Sequence, residues 1–227
     1  MGLVGTAARY DGGGERLETI DLGQAPQMGR AEFLERLDGE WPRVCQRHPQ
    51  ARRAGLSAGA RDYEPWLAAR PHWQILACDH ASGGLAGAAP GLDRHKAGRA
   101  EWLEAACHTL KHESGAAARL AGELSAQAEA GARTRGAAPA LAAASGYFTH
   151  HIERINSAVF RAMAFPIGSG VTEAACKTLV TLRLCGCGMK GTRAGAQTLI
   201  TLRALLPSTS RRASLWTYFD KHRFHSH

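Results

Sequence analysis

Hydrophobic and polar positions alternate at the start of the chain, where small and apolar residues run from residue 3 to Tyr10. A glycine-rich stretch, Asp11 to Gly14, separates this run from a second extended pattern over residues 17–22. Two extended runs joined by glycine-rich turn residues are typical of a β-hairpin. The sequence therefore predicts a hairpin at the N-terminus.

Helical periodicity begins at Arg30, with apolar side chains three or four residues apart at Leu34, Leu37, Trp41 and Val44. This spacing predicts a helix of about five turns, and Pro42 is expected to kink it or to begin its second half.

The region that follows this helix is predicted to contain three short secondary-structure elements. A short strand is predicted over residues 54–58, a short helix over 63–70 and a buried strand over 72–78. Strand, helix and strand in this order favour a parallel βαβ unit.

Residues 90–146 are rich in alanine, arginine and glutamate and contain few large apolar side chains. Two helices are predicted, around residues 102–110 and 120–124, followed by a linker over 131–139. We expect a loosely packed helical insertion, for which a plain spacer is the favoured role.

The stretch from Tyr147 onward has the strongest periodicity. Apolar residues at Phe148, Ile152, Ile155, Val159 and Met163 predict one amphipathic helix. That helix is expected to stop near residue 165, since the residue before Pro166 disfavours the α conformation.

A second helix is predicted after the Gly168-Ser169-Gly170 turn, with Ser169 as its cap. Ala175, Leu179 and Leu182 would form one face of this helix. Glu173, Lys177 and Thr181 would form another.

Charge is distributed unevenly along the chain. The formal net charge is +8, yet residues 147–227 carry 11 of the 28 basic and only 3 of the 20 acidic side chains. The remaining residues are therefore electrically balanced. Basic residues scattered along helices are suited to contact phosphates, so the charge favours a nucleic acid as partner over a surface that serves solubility alone.

Bulk composition limits the class of protein further. The chain has 227 residues, of which 44% are hydrophobic, and no apolar run approaches the length of a membrane span. The first residues lack the charged and apolar regions of a signal peptide, so we expect a cytoplasmic protein with six reduced cysteines. The spacing of the cysteines fits no common zinc finger.

Particular residues of the last 80 carry a family resemblance. They include Tyr147-Phe148, His151, Arg154-Ile155, Arg161, the run from Pro166 to Lys177, the run from Arg183 to Lys190, Gly195-Ala196 and the run from Leu202 to Leu205. This segment resembles the C-terminal part of bacterial insertion-sequence transposases of the Kra type, which have a ribonuclease H-like core and a DDE acid triad. The resemblance implies that Glu173 corresponds to the final glutamate of the triad. A structural alternative is that Glu173 complements the helix dipole and pairs with Lys177.

The resemblance also implies an α/β fold, with three antiparallel strands followed by alternating helices and strands and then by the helix of the last acid. This chain supplies the expected second to fifth strands, so we predict a ribonuclease H-like core that lacks its first strand. Residues 1–89 would form the partial core, 90–146 the helical insertion and 147–227 a basic helical part. The missing strand would lie at the sheet centre and carry the first catalytic aspartate.

The second acid of the triad is also missing from its expected position. Relatives commonly have Leu-Ala-Asp-Gly-Ala after the fourth strand, whereas this chain has Ala58 at the position of the aspartate. Asp62 is a poor substitute, and Asp79, after the next strand, is displaced by two positions. Two Mg²⁺ ions, the family's expected cofactor, need several carboxylates, so Glu173 alone is not expected to hold them.

Phosphate contacts are expected from the basic side chains near Glu173, namely Lys177, Arg183, Lys190, Arg193 and Arg203. Arg203 would lie at the edge of a buried stripe formed by Leu199, Leu202, Leu205 and Leu206. The basic and aromatic tail, with Arg211, Arg212, Trp216, Tyr218 and Phe219, would either stack on an unpaired base or dock its aromatic rings on the helical core, and docking is favoured.

Two functions are consistent with these features. The chain is expected to be a transposase-like protein for DNA transposition by metal-dependent phosphoryl transfer, truncated and without a complete set of acids. Alternatively, it is a DNA-binding remnant without catalysis. DNA is the expected partner, with a second copy of the chain or an intact relative as further partners. The resemblance implies that Glu173 is a catalytic and metal-binding residue, but no nuclease activity is expected from this chain alone.

Overall fold

A computed structural model describes residues 2–25, 28–93, 95–131, 136–185 and 191–222, without the side chains of Arg61 and Arg183. Over these ranges the chain is mixed α/β and mostly helical, which confirms the predicted class. The chain divides into two compact units. Unit 1 comprises Met1–Ala51 and Gly170–His227, and unit 2 comprises Arg52–Ser169. The three-part division at residues 89 and 146 stays a prediction.

The elements fall in the following chain order: β1 (Leu3–Tyr10), β2 (Arg16–Gln24), α1 (Gly29–Arg47), β3 (Ala54–Ser57), α2 (Glu64–Ala68), β4 (Trp73–Leu76), α3 (Cys78–Leu92), α4 (Lys96–His112), α5 (Ala116–Glu129), α6 (Ala138–His150), α7 (Ser157–Ala162), α8 (Gly170–Ala175), α9 (Leu182–Leu184), α10 (Arg193–Leu205) and α11 (Thr209–Lys221). Short 3₁₀ turns cover Arg61–Tyr63 and Ile152–Arg154, and a π-helical segment covers Cys176–Thr181.

Strands β1 and β2 form the predicted antiparallel hairpin, in a register that pairs Leu3 with Gln24 and Thr6 with Asp21. Asp11 closes the turn, because its Oδ1 accepts hydrogen bonds from the backbone N–H groups of Gly13 and Glu15, each at 2.9 Å. An aspartate that bonds nearby backbone groups in this way is a common turn device. The hairpin prediction is confirmed.

The core of unit 1 packs helices against this hairpin. Gly23 of β2 approaches Ile200 of α10 so closely that an added Cβ would lie 2.4 Å from the Ile200 Cγ2. Leu179 is 1% exposed and lies beside the same glycine. A strand residue without a side chain thus lets α10 approach the β2 backbone.

In unit 2, β3 and β4 pair in parallel with Leu56 opposite Ile75, and the 3₁₀ turn and α2 connect them. The predicted parallel βαβ unit is therefore confirmed. Helices α3 to α6 form the largest apolar core of the described chain, and its fully buried members include Leu85, Leu110, Leu124 and Phe148. The insertion supplies Leu110 and Leu124, so the expectation that it is loosely packed is wrong.

The single helix predicted from Phe148 to Met163 is wrong. Helix α6 ends at His150, a 3₁₀ turn follows, and Asn156 has a non-helical conformation before α7 begins. A 3₁₀ turn has fewer residues per turn than an α-helix, so it changes the register of the following side chains. Ile152 and Val159 are consequently 37% and 38% exposed, whereas Ile155 is buried.

Helix α7 ends just before residue 165, close to the predicted stop. The N–H of Phe165 donates to the carbonyl oxygen of Phe160, and the N–H of Ala164 donates to that of Arg161. These two bonds form a Schellman motif, in which the residue after the helix is left-handed. Ala164 holds that position with φ of 59°.

Two predicted apolar faces in unit 1 are also wrong. Leu182 is 52% exposed although Ala175 and Leu179 are buried, because the π-helical segment has wider turns and rotates the residues that follow it. On α10, the buried residues are Ile200 and Ala204. The predicted stripe is instead largely exposed at Leu199, Leu202 and Leu206, while Leu205 is half-buried.

The aromatic side chains of the C-terminal tail do not dock on the core. They lie on α11, where Trp216, Tyr218 and Phe219 are each more than half exposed. The expected docking is therefore wrong for these three rings.

No described helix combines the length and the apolar character needed to cross a membrane.

Candidate nucleic-acid and metal sites

Glu173 lies in the first turn of α8 in unit 1, and its side chain is exposed. The start of this helix is tied to the hairpin by a hydrogen bond of 2.7 Å between the Thr172 and Thr6 hydroxyls. Burial, the Glu173 carboxylate and the Asp21 carboxylate together raise the pKa of the Cys176 thiol. The carboxylate of Glu173 thus acts electrostatically on the next turn of its own helical run.

The ends of β3 and β4 lie in unit 2. Ala58 follows β3 as an exposed residue, so the structure has no carboxylate at the position where the transposase resemblance implies the second acid. Asp62 is exposed in the following 3₁₀ turn. Asp79 lies in the first turn of α3 and is exposed beside Gly168, where an added Cβ would lie 3.2 Å from the Asp79 Oδ2.

The loop before α8 packs on the end of β4. The N–H of Cys78 donates to the carbonyl oxygen of Ile167 at 2.7 Å. This bond holds the Pro166 to Gly168 stretch beside Asp79, within unit 2. The glycine at 168 is suited to the contact, because a side chain there would press on the Asp79 carboxylate.

The predicted phosphate contacts differ in their surroundings. Lys177 and Arg193 are exposed. Arg203 is half-buried, and its Nε donates a hydrogen bond of 2.8 Å to the Thr178 carbonyl oxygen, so it also joins α10 to the π-helical segment. The side chain of Arg183 and the whole of Lys190 lie outside the described residues.

Sequence reasoning missed a basic groove in unit 1. The groove has a volume of about 580 Å³ and is lined by Arg36, Arg43 and Arg47 of α1, by Arg211 of α11 and by Glu40. Glu40 contacts Arg43 at 3.2 Å and Arg211 at 2.6 Å, and Glu18 lies 4.0 Å from Arg47. Three of the four guanidinium groups of the groove are thus paired with a carboxylate. The signal was present in the sequence, because residues 36, 43 and 47 are spaced to lie along one face of a helix.

The groove arginines are partly held by the fold. Arg36 donates to the Gly23 carbonyl oxygen at 2.9 Å, and Arg47 donates to the Ser210 hydroxyl at 3.2 Å. Arg43, in contrast, has a side chain that is 71% exposed. These bonds fix the positions of two guanidinium groups and leave a positive surface for an anionic ligand.

Sequence reasoning also missed a cluster in unit 2 that we call the Glu64 cluster: Glu64, His150 and His151. One potential ligand atom from each residue lies within 4.8 Å of the others. Arg154 extends this cluster, because its Nη1 donates to the Glu64 Oε1 at 2.7 Å and its Nη2 donates to the Ser57 hydroxyl at 2.9 Å. The hydrogen bond from Arg154 is the main cause of a lowered pKa for Glu64.

The side chains present do not fit the pair of Mg²⁺ ions that the family resemblance implies. Mg²⁺ prefers oxygen ligands in octahedral geometry. Among the described residues, the cluster with three potential ligands contains two imidazoles, and Glu173 is not part of it. Ala58 offers no side-chain ligand, and the three-ligand group among the described residues contains one carboxylate, fewer than a two-metal site needs.

Comparison with protein-family models, with curated proteins and with solved structures found no match for this chain.

Proposed function

We propose that this chain is a transposase-like protein of an insertion sequence whose catalytic acids are incomplete, so that DNA binding is its remaining activity. The observation that carries the proposal is the pairing of the strands. An antiparallel hairpin and a separate parallel pair follow one another along the chain, with two strands in each described sheet.

This pairing supports a ribonuclease H-like core without its first strand. In that core the first strand would lie between the hairpin and the parallel pair. Among the residues that the structure describes, the hairpin β1–β2 and the pair β3–β4 form two separate sheets, as expected if that strand is absent. The order of elements agrees as well, since the helix bearing Glu173 comes after the parallel pair and the helical insertion.

The residues at the expected positions of the catalytic acids support the proposed loss of catalysis. Phosphoryl transfer by two metal ions depends on carboxylates held in fixed positions. Ala58 replaces the second acid that relatives carry, and Asp79 lies in the turn after β4 at a displaced position.

DNA binding is the function that the surface of unit 1 supports best. Four arginines and Glu40 line the groove, and Lys177 and Arg193 are exposed in the same unit. A surface of this charge attracts the phosphate backbone without regard to base sequence. The surviving function is then occupation of DNA, in agreement with the second function expected from the sequence.

A mobility-shift titration against salt tests this proposal. The full chain is titrated onto duplex DNA at several salt concentrations, and the double substitution Lys177→Glu with Arg193→Glu is compared with Arg99→Glu with Arg119→Glu. The control pair changes the net charge equally but lies in unit 2. Since each phosphate contact contributes about 0.9 to the slope of log affinity against log salt, the first variant should lose about two contacts' worth of slope.

The result expected is a steep salt dependence that the first variant reduces and the control variant leaves close to that of the unmodified chain. An affinity that does not change with salt would remove the proposal of phosphate binding. An equal loss in both variants would show that net charge, and not the surface of unit 1, governs the interaction.

A further inference from the structure

The Glu64 cluster combines three ligands that the folding of unit 2 brings together. His150 is the last residue of α6 and His151 the next one, whereas Glu64 opens α2. Their potential ligand atoms lie within 4.8 Å of one another. The cluster is distant from Glu173 in sequence and shares no residue with the acids predicted from the transposase resemblance.

The two histidines differ in their surroundings. His151 is 6% exposed, and its ring lies 4.8 Å from the Tyr147 ring and 4.6 Å from the His150 ring, measured between centroids. His150 itself is exposed at the helix end. One imidazole is thus fixed by packing, and the other is free to adjust its rotamer toward a ligand.

Glu64 is suited to serve as the anionic ligand. The carboxylate of a glutamate is ionised at neutral pH, and the ion pair with Arg154 orients this one. Arg154 contacts only the Oε1 at 2.7 Å. A carboxylate has two oxygens and can accept several partners, so the Oε2 can bind a cation while the ion pair persists.

We propose that Glu64, His150 and His151 bind one Zn²⁺ ion or a chemically similar divalent transition-metal ion. Two imidazole nitrogens and one carboxylate oxygen form a donor set that suits Zn²⁺, and three protein ligands leave the fourth tetrahedral position open to water. Mg²⁺ is disfavoured at this site, because it prefers oxygen ligands and dehydrates reluctantly. The inference stands independently of the transposase proposal.

Binding requires a small contraction of the cluster. With bonds of about 2.1 Å, the ligand atoms of a tetrahedral Zn²⁺ site lie about 3.4 Å apart. The ligand atoms here all lie within 4.8 Å of one another, so the contraction is at most about 1.4 Å. A rotamer adjustment of the exposed His150 ring at the helix end can supply it.

A second pair of histidines provides the matched control. His108 and His112 lie one turn apart on α4 with ring centroids 4.4 Å apart, and Arg161 contacts the His112 ring at 3.0 Å. Two histidines in this spacing can bind Zn²⁺ weakly. This pair is not part of a three-ligand group among the residues that the structure describes.

The test is calorimetric titration of the metal-free full chain with ZnCl₂, supported by the visible spectrum of the Co²⁺-loaded chain. Variants are His150→Ala, Glu64→Gln and the control His108→Ala with His112→Ala. Circular dichroism melts of each metal-free variant establish that it is folded. His150→Ala is the safest variant, because its side chain is exposed.

The expected result is one Zn²⁺ per chain, bound at least tenfold more weakly by His150→Ala and by Glu64→Gln and unchanged in the control. Excess Mg²⁺ should not displace the ion, and the Co²⁺-loaded chain should show the intense absorption of a tetrahedral site, lost in both cluster variants. Absence of Zn²⁺ binding, equal binding by folded His150→Ala, or loss of binding in the control would overturn the proposal.

Discussion

Replacement of Gly23 by alanine is expected to destabilise unit 1, because β2 and α10 approach too closely for a side chain. An added Cβ would lie 2.4 Å from the Ile200 Cγ2 and 3.3 Å from the Leu179 Cδ1. Carbon atoms in contact are normally about 3.5–4.0 Å apart, so the strand and the helix must separate by about 1 Å. Ile200 and Leu179 are both buried and cannot turn away into solvent.

The magnitude follows from the cost of overpacking. Forcing an extra carbon into a packed core costs about 1–3 kcal/mol. The Gly23 carbonyl oxygen also accepts bonds from Arg36 at 2.9 Å and from Gln197 at 3.3 Å, and a shift of the strand weakens both. Reduced entropy of the unfolded chain offsets about 0.4–1 kcal/mol. We therefore expect a net loss of about 2 kcal/mol.

Urea unfolding followed by circular dichroism measures this loss as a lower midpoint at an unchanged slope. The double variant with Ile200→Ala isolates the contact, because alanine removes the Cγ2 that the new methyl group meets. The two substitutions together should cost about 0.5–3 kcal/mol less than the sum of the single effects. Gly39→Ala is the control, since an added Cβ meets nothing within 4 Å there and alanine favours the helix.

Additivity of Gly23→Ala and Ile200→Ala would refute the proposed contact. So would a Gly23→Ala chain as stable as the unmodified one.

Three further predictions concern burial, charge and backbone conformation. Burial raises the pKa of Asp21, so the stability that its protonated form contributes is lost as pH rises through that pKa. Asp21→Asn should therefore be the more stable chain at pH 7. Urea unfolding should show this advantage shrinking as pH falls toward about 4. Glu173→Gln should lower the Cys176 pKa and speed its alkylation by iodoacetamide, measured by mass spectrometry at pH 8. Ala164→Gly should stabilise unit 2 by about 0.5–1 kcal/mol in thermal melts, since glycine adopts positive φ without strain.

Each of these three predictions has a result that would contradict it. A stability difference between Asp21→Asn and the unmodified chain that does not vary with pH would contradict the effect of burial. Unchanged alkylation of Cys176 would separate it from the Glu173 charge, and a less stable Ala164→Gly chain would argue against the Schellman motif.

The elements that the sequence predicts well are those that local signals determine. Turn residues Asp11 to Gly14 specify the hairpin, and short apolar runs on either side of a helix specify the parallel pair. In contrast, the break after His150 depends on tertiary contacts. Arg154 bonds to Glu64 and Ser57, and Ile155 is buried in the unit 2 core, which the apolar periodicity alone does not reveal.

The buried faces of the π-helical segment and of α10 were also not predictable from apolar periodicity alone. One extra residue per turn at Cys176–Thr181 moves Leu182 off the face predicted for it. On α10, Ile200 and Ala204 fit against β2, where Gly23 leaves room, and the larger leucines point elsewhere. Shape at the contact decides which face is buried, and hydrophobicity by itself does not.

The candidate sites also differ in whether local sequence alone indicates them. Glu173 was found from a motif that is continuous in sequence. The Glu64 cluster joins residues far apart in the chain, and the groove depends on how α1 and α11 pack within unit 1, so only the spacing of Arg36, Arg43 and Arg47 could have indicated it.

A plasmid-nicking assay with the full chain in Mg²⁺ or Mn²⁺ tests most directly whether the chain binds DNA without cleaving it. It should use a preparation that binds DNA with a salt-dependent affinity, so that a lack of cleavage is not a lack of binding. We expect no nicking above background for the unmodified chain or for Glu173→Gln. Metal-dependent nicking that Glu173→Gln abolishes would contradict the proposed loss of catalysis.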